Sequence, residues 1–373
     1  MTITAKVVLD SISLEGVRLT TMELTYPRFI HAEFMTHRMF SRNASSSRAI
    51  PTEKMIERIV REPAEPIHWG KNQPGMQANA ELEWAQLVPT RAEWLKARDA
   101  AVKSARIMHA CGAHKQIVNR VLEPFMHITV LVTATEWDNF FHLRRHKDAQ
   151  PEIKALAEAM YTVYQANIPR DVAPGEWHLP YIYEDDIDGA IKAAMQELRE
   201  KSFSDEYTLE DIDRLTTNML CRISTARCAR VSYLTHDGQT PSIEKDLALF
   251  NRLIISQPMH ASPAEHQATP DRTVRYGMMS SLGWENPQYH GNFVGWQQHR
   301  KFFLGENVAS NTLTKNGVLT ANIVKKVTNL ATHRQLAAFP DPKFRPATTE
   351  EALGLTPNAI LADMQFNPLD TNC

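Results

Sequence analysis

Thr21-Met22-Glu23-Leu24-Thr25-Tyr26 alternates polar and apolar side chains with the period of two that marks a half-buried strand, and Pro27 closes the run. From Arg28 to Arg38 the apolar residues Phe29, Ile30, Phe34 and Met35 recur at helical spacing. Then comes His37-Arg38-Met39-Phe40-Ser41-Arg42-Asn43-Ala44-Ser45-Ser46-Ser47-Arg48. Arg38, Arg42 and Arg48 bring guanidinium forks that match phosphate oxygens in bidentate geometry. Between them Ser41, Asn43, Ser45, Ser46 and Ser47 supply short donors on a backbone that readily leaves helical geometry. The local order is strand, helix, polar loop, and the loop reads as a cradle for an anion. A serine-rich basic surface loop has the same composition, and composition alone does not separate the two.

Outward from this stretch, Arg120-Val121-Leu122-Glu123-Pro124 leads into the β-branched run Ile128 to Thr135 and then Glu136 to Arg144, where a helix starts. Arg98 to Val121 reads as a helix, whereas residues 51 to 97, with Trp69, Trp84 and Trp94 among Pro63, Pro66, Pro74 and Pro89, read as an irregular insertion. Further helices are expected at 154 to 167, at 187 to 200, and from Thr208 onward, where Thr208 and Asp211 resemble a capping pair. The tail from Ala338, with Pro340, Pro342, Pro346, Pro357 and Pro368, reads as extended chain with a short helix near Glu350.

The bulk properties bound the partners. With 373 residues, 43% hydrophobic and 23% charged, the chain is long enough for one large or two medium domains. A formal net charge of -2 gives no field suited to bulk nucleic acid, so a small anionic ligand is the better expectation. The N-terminus lacks a secretion-type apolar stretch, no run has the length of a membrane span, and a cytoplasmic location is expected. The cysteines, Cys111, Cys221, Cys228 and Cys373, have neither metal-ligand spacing nor the pattern of a disulfide framework. Cys111, Cys221 and Cys228 are expected to be packing residues.

Three motifs carry a resemblance. His37, Arg38, Ser41, Asn43, Ser46 and Arg48 match the spaced signature of the flavin-dependent thymidylate synthases. Arg120, Pro124, Asn139 and Arg144 match a second element of that family, continued by Ala149-Gln150 and Glu152-Ile153. Arg227-Cys228-Ala229-Arg230-Val231-Ser232, then Asp246 to Ile255, then Met259-His260-Ala261-Ser262-Pro263-Ala264-Glu265-His266 resemble the family's opening strand, helix and His-x-Ser-Pro-x-Glu-His loop. That loop precedes the signature in the family and follows it here, so the chain resembles a circularly permuted or duplicated member. Asn292 to Phe303, containing Gln298-His299-Arg300, echoes the signature's His-Arg element. The resemblance covers residues 17 to 50, 118 to 153 and 226 to 268.

The resemblance implies an α+β fold, an antiparallel sheet with a helical layer. It also implies FAD, NADPH, methylenetetrahydrofolate, dUMP or another pyrimidine deoxynucleotide, and a homotetramer whose sites draw on several subunits. On the matched positions it implies catalytic roles for Arg144 and Ser46. The nucleotide would be held by Glu33, Ser45, Ser46, Ser47, Arg48, Arg120 and Arg144, and the flavin by His37, Arg38, Asn43, Asn139, His260, Ser262, Glu265 and His266. Residues 1–220 would form a nucleotide-binding portion and 221–373 a flavin-binding portion, or the two would make one intertwined domain. The chain departs from the family at Thr36, where arginine is usual, at Ala44, where an acid often stands, at Asp148 and at Glu33. These departures favour, as an alternative, C5 hydroxymethylation or action on dCMP. A more distant alternative is a nucleotide-binding protein without catalysis.

Overall fold

The computed structural model describes residues 3–201, 207–233, 242–255, 258–276, 281–303 and 306. The chain divides into two compact units, Met1–Arg300 and Lys301–Cys373. The sheets and α-helices of the described residues lie within the first, while the proline-rich tail and Cys373 fall outside the described residues.

The fold is mixed α+β. Its centre is a five-stranded sheet of β1 (Thr4–Ser13), β2 (Arg18–Pro27), β3 (Ser41–Ala44), β4 (His127–Ala134) and β5 (Arg170–Val172), in the order β3-β4-β2-β1-β5. All its pairings are antiparallel except β1 with β5. The helices are α1 (His31–Phe34), α2 (Thr52–Arg61), α3 (Trp84–Ala110), α4 (Lys115–Val118), α5 (Asp138–Arg144), α6 (Pro151–Ala166), α7 (Asp185–Lys201), α8 (Leu209–Tyr233) and α9 (Ile243–Ile255). Two small antiparallel pairs follow, β6 (Ala268–Pro270) with β9 (Trp296–Gln298), and β7 (Thr273–Tyr276) with β8 (Ser281–Trp284). No helix among the described residues is long and apolar enough to cross a membrane.

The period-two alternation of β2 gives the sheet two unlike faces. Met22, Leu24 and Tyr26, with Ile128, Val130, Val132 and Ala134 of β4, point to one side and are fully buried. They pack on Phe140 and Phe141 of α5 and on Ile153, Leu156, Ala157 and Met160 of α6, an i, i+3, i+4, i+7 stripe. Helix α6 starts with Pro151 in its first turn, and the Gln150 side chain accepts from the Ile153 amide at 2.9 Å. The opposite face carries cross-strand rows: Ser41, Thr133 and Thr21, then Asn43, Leu131 and Glu23. Helix α8 lies against this face, with Cys228 and Val231 packed on Leu131. The Thr208 pair caps α8 as expected, its Oγ1 accepting from the Asp211 amide at 3.1 Å and Oδ2 of Asp211 accepting from the Thr208 amide at 3.2 Å.

Four expectations require correction. The interval 51 to 97 is not irregular throughout. Met55, Ile56 and Ile59 form the buried side of α2, Pro89 lies inside α3, and the prolines that do break helix fall between 62 and 83. The helix expected from 98 to 121 stops at Ala110, because Gly112 takes φ +82° and lets the Ala113 amide return to the Met108 carbonyl at 3.0 Å. The strand implied at Ala229-Arg230-Val231-Ser232 is the end of α8, whose apolar residues are buried at helical spacing. Cys111 is exposed, whereas Cys221 and Cys228 are buried as expected. The boundary at 220/221 falls within α8, which packs on β3 and β4.

Candidate active site

The signature stretch is part strand and part turn. Phe40 is buried against Phe34, Trp137 and Phe140, so it anchors the segment from below. Ser41 to Ala44 then pair with Thr133 to Val130 as β3, and alternation places Ser41 and Asn43 on the polar face while Arg42 turns to the other. Arg42 donates from Nη1 to the Met35 carbonyl at 2.9 Å. Past the strand, a turn is tied down by its own serines. Ser45 Oγ accepts from the Thr129 amide at 3.1 Å, and Ser47 Oγ donates to Oε1 of Glu123 at 2.6 Å. Both side chains are buried, so their hydroxyls serve the turn, while Ser46 is half-buried and Arg48 is exposed.

Arg48 and Arg120 come together in space. They line one open groove of about 520 Å³ with Met108, Gln116, Ile117 and Val121. Glu123, to which the motifs assign no role, ties Arg120 of this groove to Ser47 of the signature turn. It accepts from Arg120 Nη1 at 3.2 Å as well as from Ser47, and lies 3.3 Å from Nε of Arg28. Asn119, also unassigned and fully buried, donates to the carbonyls of Ser47 (2.7 Å) and Ile50 (3.0 Å). The acid between Arg120 and Pro124 was the available signal, since a carboxylate beside clustered arginines orients some of them.

His37 and Arg144 form a second cluster. Nε of Arg144 donates to Nε2 of His37 at 2.9 Å, and the imidazole meets Phe140 edge-on at 4.8 Å between ring centroids. Burial, then the charges of Arg144 and Arg42, lower the His37 pKa to about 4. The ring is therefore neutral near pH 7 and presents a lone pair to Arg144. Asn139 is exposed in the first turn of α5, Arg38 is exposed beside His37, and Glu33 is half-buried in α1 with its carbonyl accepting from Thr36 Oγ1 at 2.7 Å. At most roughly 20 Å of chain separates Arg42, near this cluster, from Arg48 at the groove.

The third motif packs against the signature strand, although it lies far downstream in sequence. The turn Ser262–Glu265 contacts β3 and α8. His260 and Ser262 are exposed. Glu265 pairs with Arg300, and the Gln298 amide donates to Ser41 Oγ (3.2 Å), the Asn292 side chain (2.9 Å) and the Glu265 carbonyl (3.2 Å). The Gln298-His299-Arg300 echo thus clamps the turn to β3, through β9 and a 3-10 turn. Asn43 is buried, its Nδ2 3.5 Å from the Cys228 carbonyl. His266 is fully buried, with Nδ1 2.8 Å from Thr133 Oγ1 and Nε2 buried without a partner among the described residues.

Cys221 and Cys228 are not suited to attack a substrate, since burial raises both thiols well above their ordinary range.

Residues 14–170 match the family model described as thymidylate synthase complementing protein. No curated protein matches the chain. Among solved structures it is similar to a UMP/dUMP methylase, PolB from Streptomyces cacaoi, bound with 5-Br UMP, at 17% identity over 44% of this chain and 89% of that chain, with a TM-score of 0.37. The form of that enzyme bound with 5-Br dUMP matches at 16% identity over 44% of this chain and 90% of that chain, TM-score 0.37. The matched interval runs from the turn before β2 to the first residue of β5 and contains the signature, the Arg48–Arg120 groove and the His37–Arg144 pair. Over residues 14–170, then, the chain is similar to the thymidylate synthase complementing protein family.

Proposed function

We propose that the protein is a flavin-dependent thymidylate synthase that methylates dUMP at C5, using methylenetetrahydrofolate and NADPH. The observation that carries this reading is the family match over the interval holding both arginine clusters, with the Ser262–Glu265 turn packed on β3, the strand that lies between them in sequence. FAD fits the residues present. The buried, unpartnered Nε2 of His266 and the exposed donors Arg38, Asn139, His260 and Ser262 offer the polar set that a flavin's heteroatom edge and pyrophosphate require. When bound, FAD would supply the reducing equivalents for turning the transferred one-carbon unit into a methyl group.

The chain's own residues supply position and field. Arg48 and Arg120 hold the phosphate, with Arg120 aimed by Glu123 and Ser46 beside the nucleotide. Arg144 has one nitrogen fixed by neutral His37 and turns the rest of its guanidinium to negative charge developing on the pyrimidine ring. Two clusters at opposite ends of β3 also suit a homotetramer in which one copy completes another's site. A permuted order, with the His260–His266 loop entering after the signature, accounts for its place beside β3.

The test is product mass after anaerobic incubation of flavin-loaded protein with NADPH, methylenetetrahydrofolate and either dUMP or dCMP. A methyl-sized gain on dUMP is expected. A hydroxymethyl-sized gain, or a product from dCMP, would replace this reading with the alternative that the departures at Glu33, Thr36, Ala44 and Asp148 favour. Arg144→Ala should abolish turnover while dUMP still binds; unchanged turnover would remove Arg144 from the chemistry.

A further inference from the structure

A chain of polar side chains crosses the sheet beneath α8 and the Ser262–Glu265 turn. Ser11 Oγ lies 2.8 Å from Nδ1 of His178, whose Nε2 lies 2.8 Å from Thr21 Oγ1. Thr21 Oγ1 is 2.7 Å from Thr133 Oγ1, which is 2.8 Å from Nδ1 of His266. All five side chains are fully buried. The row exists because register pairs Thr21 with Thr133 and sends both to the polar face. The backbones of His178 and Ala268 pair across the same region, which brings the two histidines over it.

Burial lowers both His178 and His266 to about 3, so each ring is neutral and carries a single proton. Each hydroxyl has one proton to donate. Suppose that Ser11 donates to His178, His178 Nε2 to Thr21, Thr21 to Thr133, and Thr133 to Nδ1 of His266. Every hydroxyl proton is then used, and His266 carries its own proton on Nε2. Any arrangement that puts the His266 proton on Nδ1 instead leaves the hydroxyl proton of Ser11, Thr21 or Thr133 without an acceptor among the described residues, and leaves Nε2 bare as well. One unmatched group costs less than two.

We infer that Ser11, His178, Thr21 and Thr133 are positioning residues that lock His266 as the Nε2–H tautomer, a neutral donor aimed at an acceptor atom of the bound ligand. On the flavin reading above, on which this ligand assignment rests, that atom is a ring carbonyl oxygen or imine nitrogen of the heteroaromatic system. The wire lets the protein present a donor without burying a cation, which suits a ligand atom that gains electron density.

The test is long-range proton–nitrogen correlation spectroscopy on the full chain carrying 15N-histidine, with the His266 signals identified by their loss in His266→Gln. The wild type and Thr133→Ser, which keeps the hydroxyl, should show the Nε2–H pattern. Thr133→Val should show a mixed or Nδ1–H pattern and bind FAD roughly tenfold more weakly. Should Thr133→Val fail to fold, Ser11→Ala removes the hydroxyl proton that sets the direction of the wire and should leave both His266 tautomers populated. An Nδ1–H pattern in the wild type, or an unchanged one in Thr133→Val or Ser11→Ala, overturns the inference. If the wild type keeps the Nε2–H pattern but binds no FAD, the flavin reading fails and the tautomer lock stands.

Discussion

The two faces of the central sheet are made by the same strands and differ in almost every other respect. One is closed by α5 and α6 and holds Met22, Leu24, Tyr26, Val130 and Val132, with aromatic rings packed edge to face beneath them. The other is closed by α8 and the 262–266 turn and holds hydroxyls, an amide and two neutral histidines, also buried. The first face gains stability from area removed from water. The second satisfies its polar groups one by one and gains little net, because each internal hydrogen bond replaces one to water. A strand that alternates with period two can serve both ends, so the residues that stabilise the fold and those that shape the site are neighbours in sequence and strangers in space.

The sharpest way to break this comparison is to cut into the apolar face. Leu156→Ala removes a fully buried side chain and should cost about 2–5 kcal/mol by urea denaturation, with dUMP affinity of the folded protein unchanged. A large loss of affinity at matched folded fraction would mean that the faces are not separable. A second measurement sharpens the contrast through pH. His178 and His266 have pKa values near 3 in the fold against about 6.5 unfolded, so the unfolded chain binds more protons between those values. Their contribution is therefore fully present above about pH 6.5 and is lost as pH falls toward 3. Thermal midpoints should fall steeply across that window, and His178→Gln should flatten the slope; an equal slope in the variant would show that the titration lies elsewhere. The smallest effect is at the helix that covers the polar face. Thr208→Ala removes the α8 cap and should cost about 1 kcal/mol, read from the denaturation midpoint.

What the sequence made legible was the local part of this plan. The Thr21 to Tyr26 alternation, the Ile128 run, the helix α6 and the Thr208 cap depend on neighbours a few residues away, and all four appear in the structure. The strand β1 went unread because burial on both sides blurs its pattern, with Asp10, Ser11 and Ser13 buried among polar partners. Pro89 and Gly112 misled in opposite ways. One is tolerated inside a helix, and the other ends one by a left-handed turn that only its neighbours' carbonyls reveal. At the candidate site, the expectation that Arg48 and Arg120 act together came from the family resemblance of their two motifs. The contact of His178 with Thr21 did not, since it joins residues 157 positions apart and His178 belongs to none of the motifs.

β3 ends the sheet, four residues long and, among the described residues, paired as a strand with β4 alone. An open strand edge of this kind is a template on which another chain can build, and proteins blunt it with brevity and charge. Arg38 and Arg48, both exposed, flank β3 on either side, with half-buried Arg42 inside it. Their guanidinium groups discourage a foreign strand from annealing there, so the charge of this stretch guards the sheet's short edge.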